Sequence, residues 1–354
     1  MIFLFVFATA FLVALGITPL AARLAPRLGT MDQPAARRIH HVPMPRFGGL
    51  PLFVAFFAAV AVSLVYPRSD QYELLRLGGL FGGAVVLFFV GAYDDHRELK
   101  ALPQLLAQII AASMAVGAGV LIREVNSPLG GLLKFETWFA VLFTVFWIVG
   151  MANTVNWLDG IDGLAGGVVA IAGVFLFIHA LRQEQYSIAL LAAALVGAVL
   201  GFLPFNFSPA RIFLGTAGAL VLGYALSVLS IIGAARVAFA LLLLGIPIMD
   251  VAWQIVSRVR LGTSPFSPTR THLHHRLLDA GLSQRTIVLL YYGFTAISGL
   301  LALVLPLGFY KLIALVVIGF GALLLLIRMS QRADDRPPTT DHRQTTEVNK
   351  IPRA

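Results

Sequence analysis

The sequence predicts an all-α polytopic integral membrane protein of about eleven transmembrane helices. Three observations carry that prediction. Of 354 residues, 58% are hydrophobic and only 12% charged, where a soluble domain carries about 25% charge. Apolar runs long enough to cross a bilayer, about 20 residues each, recur with short polar breaks. The runs are continuous and not alternating, which favours helices over barrel strands. The chain has no cysteine, so disulfides, thiol catalysis and Cys-ligated metals are excluded. Its net charge of +9 reflects topology on such a chain, and no nucleic-acid partner is expected.

In chain order the expected spans are 2–25, 47–66, 75–93, 104–122, 136–156, 163–181, 187–205, 214–232, 237–256, 286–307 and 309–327. The first lacks a basic leader and a small-residue cleavage site and is too long for a signal-peptide core, so it is read as a span. The following runs are divided by polar connections at about 26–46, 94–103, 154–162, 206–213 and 257–285 on one side of the membrane. That side and the C-terminal tail hold nineteen of the 26 Lys and Arg residues. The positive-inside rule then places the N-terminus outside and the tail in the cytoplasm. Residues 1–330 form the membrane domain, and residues 331–354, polar and rich in Pro and Thr, are expected to be a disordered cytoplasmic tail.

Unusual residues gather on the same side. Seven of the eight histidines fall there: His40, His41, His96, His272, His274, His275 and His342, but not His179. Asp94-Asp95 follow the run LFFVGAY; adjacent acids repel and attract a divalent cation, or they simply mark a solvated helix end. Asn153, Asn156 and Asp159 recur every third residue, which places them on one helix face, with Asp162 beyond and Gly160 and Gly163 permitting tight turns. Amides and acids in that pattern suit a nucleobase, ribose hydroxyls or a metal shell. Asn206 and Arg211 precede Gly215-Thr216-Ala217-Gly218, a small-residue start that presents amides to phosphate or packs membrane helices. Arg270, His272, His274, His275 and Arg276 make a donor-rich loop suited to diphosphate, with zinc as a rival ligand. The first loop, with Arg37, Arg38, His40, His41 and Arg46, holds an anionic ligand or lipid headgroups. Asp250, an acid inside an apolar run, is either functional or paired with a neighbouring arginine.

These clusters, in this order from about Asp32 to Arg276, resemble the polyprenyl-phosphate N-acetylhexosamine-1-phosphate transferases, the family that includes phospho-MurNAc-pentapeptide translocase. Asn153–Gly163 is the most specific match, Asp94-Asp95 with Leu99 and Gln108 matches the acidic motif, and His272-x-His274-His275 looks like the undecaprenyl-phosphate GlcNAc-1-phosphate branch. The resemblance implies transfer of a sugar 1-phosphate from a UDP-N-acetylhexosamine to undecaprenyl phosphate with release of UMP. It implies a multi-pass enzyme of the bacterial plasma membrane, active on its cytoplasmic face, that starts a cell-envelope glycan. It implies Mg²⁺, with Mn²⁺ as a substitute, and a homodimer by analogy. Asp94, Asp95, Asp159, Asp162, His272, His274 and His275 would be the catalytic residues. Arg37, Arg38, His40, Asn153, Asn156, Asn206, Arg211, Arg270 and Arg276 would bind substrate, and Asp95, Asp159, Asp162 and Thr216 would face the metal.

Three positions depart from the family pattern: Thr216 stands where an Asp expected to bind Mg²⁺ is usual, Thr269 where Asp is frequent, and Gln104 where Lys is usual. Thr216 offers a hydroxyl without charge, which motivates a second reading, an impaired homologue that still binds UDP-sugar or polyprenyl lipid. A transporter is a third reading, weakened because the acids and histidines lie on one face.

Overall fold

The computed structural model describes residues 1–34, 42–68, 70–127, 131–233, 236–260, 262, 272–305 and 308–334. Arg37, Arg38, His40, His41, Thr269, Arg270 and His342 lie outside the described residues. The elements in chain order are α1 (Ile2–Leu28), β1 (Met31–Asp32), β2 (Met44–Pro45), α2 (Gly49–Ser63), α3 (Glu73–Arg97), α4 (Ala101–Gly117), β3 (Glu124–Asn126), β4 (Leu132–Lys134), α5 (Thr137–Leu158), α6 (Leu164–Arg182), α7 (Tyr186–Asn206), α8 (Gly215–Ile232), α9 (Arg236–Leu243), α10 (Gly245–Arg260), α11 (Leu273–Asp279), α12 (Gln284–Val304) and α13 (Gly308–Asp334).

Seven helices, α1, α3, α5, α6, α7, α8 and α12, are long and apolar enough to cross a membrane. Three shorter apolar helices, Gly49–Ser63, Ala101–Gly117 and Phe309–Gly321, fall at three further expected spans. The run expected at 237–256 is divided at Leu244 into α9 and α10, the second of which carries Asp250, Arg258 and Arg260. The chain is not purely helical. Two antiparallel strand pairs, Met31↔Pro45 with Asp32↔Met44 and Glu124↔Lys134 to Asn126↔Leu132, lie between α1 and α2 and between α4 and α5. The helix α13 continues to Asp334, through the first four residues of the expected tail.

Helix α8 is the axis of the bundle, buried along nearly its whole length, and it packs against both α3 and α5. Small residues permit these approaches: Gly91 of α3 faces Ala217, and Gly223 faces Ala152 of α5. The Tyr224 hydroxyl, fully buried, donates to Gly79 O at 2.8 Å and ties α8 to α3. Opposite, Gly197 and Gly201 of α7 lie against the carbonyls of Phe7 and Phe11 in α1. Exposed apolar side chains such as Phe5, Leu12, Phe89, Leu142 and Phe146 cover the outside, a girdle that suits hydrocarbon and not water. This packing brings the C-terminal ends of α3, α5 and α7 to the N-terminal ends of α2, α6, α8 and α12, so that the polar residues assemble at one end of the bundle.

Candidate active site

The acidic pair belongs to the last turn of α3 and not to the loop after it, since the helix runs to Arg97 and ends on Glu98 in the left-handed region (φ 49°). Both acids are buried, and they face different ways. Asp94 Oδ1 accepts from Leu99 N at 2.7 Å and Gln104 Nε2 at 2.6 Å, which fixes the turn into α4. Asp95 faces the first turn of α8. Its carboxylate accepts from the amides of Thr216 (2.8 Å) and Ala217 (3.2 Å). A carboxylate there satisfies two orphan amides and meets the positive end of the helix dipole. Gly215, at φ 74°, makes the sharp entry into α8, a conformation that a Cβ would strain. These amides are therefore spent on protein acids and are not presented to phosphate, contrary to one reading of the small-residue start.

Arg46 completes this centre. It leaves β2 in a parallel bridge with Phe213. Its Nε lies 2.9 Å from Asp95 Oδ1, its Nη1 3.8 Å from Asp32 Oδ1, and its Nη2 donates to Thr216 Oγ1 at 3.0 Å. The Asp95 side chain is 0% exposed. Burial works against the Arg46 charge, but Asp95, Asp32, Asp94 and Asp159 outweigh it and hold its pKa above the ordinary arginine value. Sequence reasoning counted Arg46 as a loop charge and missed it as a site residue. The available signal was its position directly before Phe47-Gly48-Gly49 at the start of α2.

Helix α5 ends at Leu158, and Asp159 takes a non-helical conformation as its C-cap. The stripe expected through Asn153, Asn156 and Asp159 is broken there by the turn that leads to Gly163, at φ 79°. Asp159 points back to the α8 start. Burial pushes its carboxyl well above the usual range; Arg46 opposes this, the like charges of Asp95 and Asp162 add to it, and the Gly215 amide opposes it by donating to Asp159. Asp162 accepts from Ala210 N at 3.0 Å. Asn206, buried at the end of α7, donates to Ile212 O at 3.0 Å while its Oδ1 has no partner among the described residues. Asp159, Asp162, Asn206, Arg46, His275 and Gln284 line a cleft of about 550 Å³.

The other expected residues are sorted by the same contacts. Asn153 exchanges hydrogen bonds with Gln108 of α4, so it joins two helices and leaves Asn156 partly buried beside it. Neither lines the cleft. Arg211 is exposed, and Arg276 is partly buried on α11. His272 Nδ1 lies 2.9 Å from Asp250 Oδ2. His274 is buried behind the cleft, where a Cβ on Gly160 would overlap its Nε2. Burial, reinforced by His275 and His272, holds the His274 imidazole well below its usual pKa, so it is neutral at pH 7.

Among the described residues no group of three or more His, Asp or Glu side chains is placed to hold a metal ion by itself. Asp95 and Thr216 are engaged by Arg46 and by each other. Asp32, which faces Arg46, and Asp159 and Asp162, on the turn after α5, are the acids on the cleft. Magnesium is commonly held by one or two carboxylates with substrate phosphates completing its shell. The half-buried Asp159, its pKa raised by desolvation, is an acid of the kind a cation stabilises, and with Asp162 it fits that arrangement.

Residues 77–234 match the family model described as glycosyl transferase family 4. The chain is 36% identical over 307 residues, covering 84% of each protein, to a Bacillus subtilis protein named "Probable undecaprenyl-phosphate N-acetylglucosaminyl 1-phosphate transferase". It is 35% identical over 348 residues, 88% of this chain and 85% of the relative, to decaprenyl-phosphate N-acetylglucosaminephosphotransferase of Mycobacterium tuberculosis. A phospho-N-acetylmuramoyl-pentapeptide-transferase of Limosilactobacillus fermentum is 31% identical over 270 residues, 73% of this chain and 81% of the relative. With a curated relative above 30% identity along most of both chains, and with the acids of its motifs meeting at one end of the helical bundle, this chain belongs to glycosyl transferase family 4, among the polyprenyl-phosphate N-acetylhexosamine-1-phosphate transferases.

Proposed function

We propose that this chain transfers an N-acetylhexosamine 1-phosphate, GlcNAc 1-phosphate foremost, from a UDP-sugar to undecaprenyl phosphate and releases UMP. The observation that carries the reading is the meeting of Asp95, Asp159, Asp162 and Arg46 beside a cleft at one end of an apolar bundle. One substrate is a water-soluble anion and the other a long-chain lipid, and a site at the end of a membrane bundle meets both. A charged site at mid-bilayer would be far more costly. The Lys and Arg asymmetry of the connections supports a cytoplasmic site, an outside N-terminus and a cytoplasmic tail. On this reading the seven long helices, the three shorter ones and the α9–α10 pair would each cross once.

In the reaction an oxygen of the polyprenyl phosphate attacks the sugar-bearing phosphorus of the UDP-sugar. A new P–O bond forms, the diphosphate bridge breaks, and its electron pair leaves with UMP. A phosphate monoester has a second pKa of about 6, so the acceptor is mostly ionised at pH 7 and gives up no proton to the chain. That agrees with Asp94 being held by Leu99 and Gln104. The work left to the protein is positioning and charge neutralisation. Arg46 lines the cleft and offers guanidinium donors to the diphosphate, with Asp95 fixing its direction. His275 stands on the cleft wall. Asp159 and Asp162 would hold Mg²⁺ or Mn²⁺ against the diphosphate. Such an ion supplies Lewis-acid stabilisation of charge developing on the phosphate oxygens.

The test is a transfer assay with the purified chain in lipid nanodiscs, labelled UDP-GlcNAc and undecaprenyl phosphate, with and without Mg²⁺. A labelled lipid product with stoichiometric UMP is expected. The wild-type chain giving no lipid product while binding UDP-GlcNAc would replace this reading with that of an impaired homologue. The homodimer implied by the resemblance is checked by the mass of the chain in nanodiscs.

A further inference from the structure

Asp250 is buried on α10, outside the cleft, and the reaction just described does not use it. Its two oxygens nevertheless serve the first turn of α11. Oδ1 accepts from the Leu273 amide at 2.9 Å, and Oδ2 lies 2.9 Å from His272 Nδ1. A carboxylate in that place requires the Nδ1–H form of His272 and fixes the plane of its ring. The ring is one of a row. Arg258 Cζ lies 5.4 Å from the centroid of the Trp157 ring, and Trp157 lies 5.8 Å from His272. His272 stacks on His274 at 5.6 Å with the planes 5° apart, and His274 meets His275 at 4.4 Å. Both nitrogens of His274 are buried and have no hydrogen-bond partner among the described residues. Its place is therefore set by its neighbours, His272 on one side and Gly160 on the other. Gly160 is bonded to Asp159, and the missing Cβ is what lets the ring sit there.

We propose that Asp250 is a positioning residue for the donor cleft. It fixes His272 and the start of α11, and through His274 and Gly160 it holds the Asp159–Asp162 turn against the cleft. The inference rests on the transferase reading only in that UDP-GlcNAc is the probe.

The test is a double-mutant cycle on the full chain in nanodiscs, read as the Kd and stoichiometry of UDP-GlcNAc binding by calorimetry. Asp250→Asn keeps an acceptor for the Leu273 amide but removes the charge that selects the His272 tautomer. A misplacement of about 1 Å costs as much as 100-fold in rate; for donor binding a rise in Kd of about tenfold is expected, with stoichiometry close to wild type. Gly160→Ala, which drives a methyl group into His274, also weakens binding. The double variant is expected to be no weaker than the worse single one, because both act through one path. If Gly160→Ala is not recovered folded, His274→Leu takes its place. A wild-type Kd in Asp250→Asn, additive effects in the cycle, or a lost stoichiometry at unchanged Kd would each overturn the proposal and leave the transferase reading standing. No donor binding by the wild type would remove both.

Discussion

Removing the Arg46 guanidinium tests the centre most directly. In Arg46→Ala, Asp95 keeps the two α8 amides but loses its countercharge at 2.9 Å. Thr216 Oγ1 and Asp32 lose their partner as well. The Asp95 side chain is 0% exposed, so water cannot replace the guanidinium without opening the packing of α3 on α8. Breaking a buried pair from one side costs about 3–5 kcal/mol. The Arg46 side chain is itself 23% exposed, which favours the lower figure. A loss of about 3 kcal/mol carried into the transition state corresponds to about two decades of rate. Arg46→Ala is thus expected to lower the melting temperature by several degrees and transfer by about 100-fold. Arg46→Lys keeps the charge but cannot reach Asp95 and Thr216 together with one compact ammonium. It should recover stability more than rate. The checks are thermal unfolding in nanodiscs and the lipid-product assay. A variant that melts with wild type and transfers within twofold of it would refute the assignment of Arg46 to the centre.

Other expectations follow from single contacts. Gly215→Ala places a Cβ at φ 74° and 2.6 Å from Asp95 Oδ2, and is expected to cost about 1–2 kcal/mol of stability from the left-handed backbone alone, read by thermal unfolding. Tyr224→Phe removes the α8-to-α3 hydrogen bond at 2.8 Å; a loss of about 1 kcal/mol with transfer retained is expected. Asp159 has a folded-state pKa raised above its unfolded value. The folded chain therefore binds its proton more tightly, and ionised Asp159 costs stability as pH rises from the ordinary carboxylate pKa through the raised one. With divalent ions chelated, wild type should lose stability across that interval and Asp159→Asn should not, in melts at stepped pH. Chelation with EDTA is expected to abolish transfer yet leave the melting temperature of the donor-free chain unchanged, since no three-acid cluster holds an ion among the described residues.

What the sequence made legible, and what it did not, divides along a physical line. Run length and hydropathy marked α1, α3, α5 to α8 and α12, because a bilayer span is a local property of about 20 consecutive residues. The same measure passed over β1–β2 and β3–β4, whose strands pair with residues several positions away and carry no long apolar run. The acids were legible as motifs, but their partners were not. Asp95 and Thr216 are 121 positions apart, and Arg46 and Thr216 are 170 apart. No periodicity in either segment encodes that α3 ends where α8 begins. Spacing by threes grouped Asn153, Asn156 and Asp159, yet the helix stops at Leu158 and Asn153 serves Gln108.

The assembled centre also changes what the departure at Thr216 means. Read in the sequence, it is the loss of a carboxylate. In the structure its amide donates to Asp95 and its hydroxyl accepts from Arg46. An acid there would bring a further negative charge beside Asp95, with the Arg46 guanidinium already shared between Asp95 and Asp32. Thr216→Asp therefore has a sign that the geometry decides. Without divalent ion the added charge should lower the melting temperature, by like-charge repulsion near a buried carboxylate. With Mg²⁺ present it should recover, because the added carboxylate, next to the cleft residue Gly215, gives the cation a further acid. Wild type should show no such recovery in the absence of UDP-sugar. Melts of both chains, each with EDTA and with Mg²⁺, give four values. Equal Mg²⁺ responses in wild type and Thr216→Asp would show that Arg46 and Thr216 leave room for a resident ion, and would refute the division of labour drawn between Asp95 and the cleft acids.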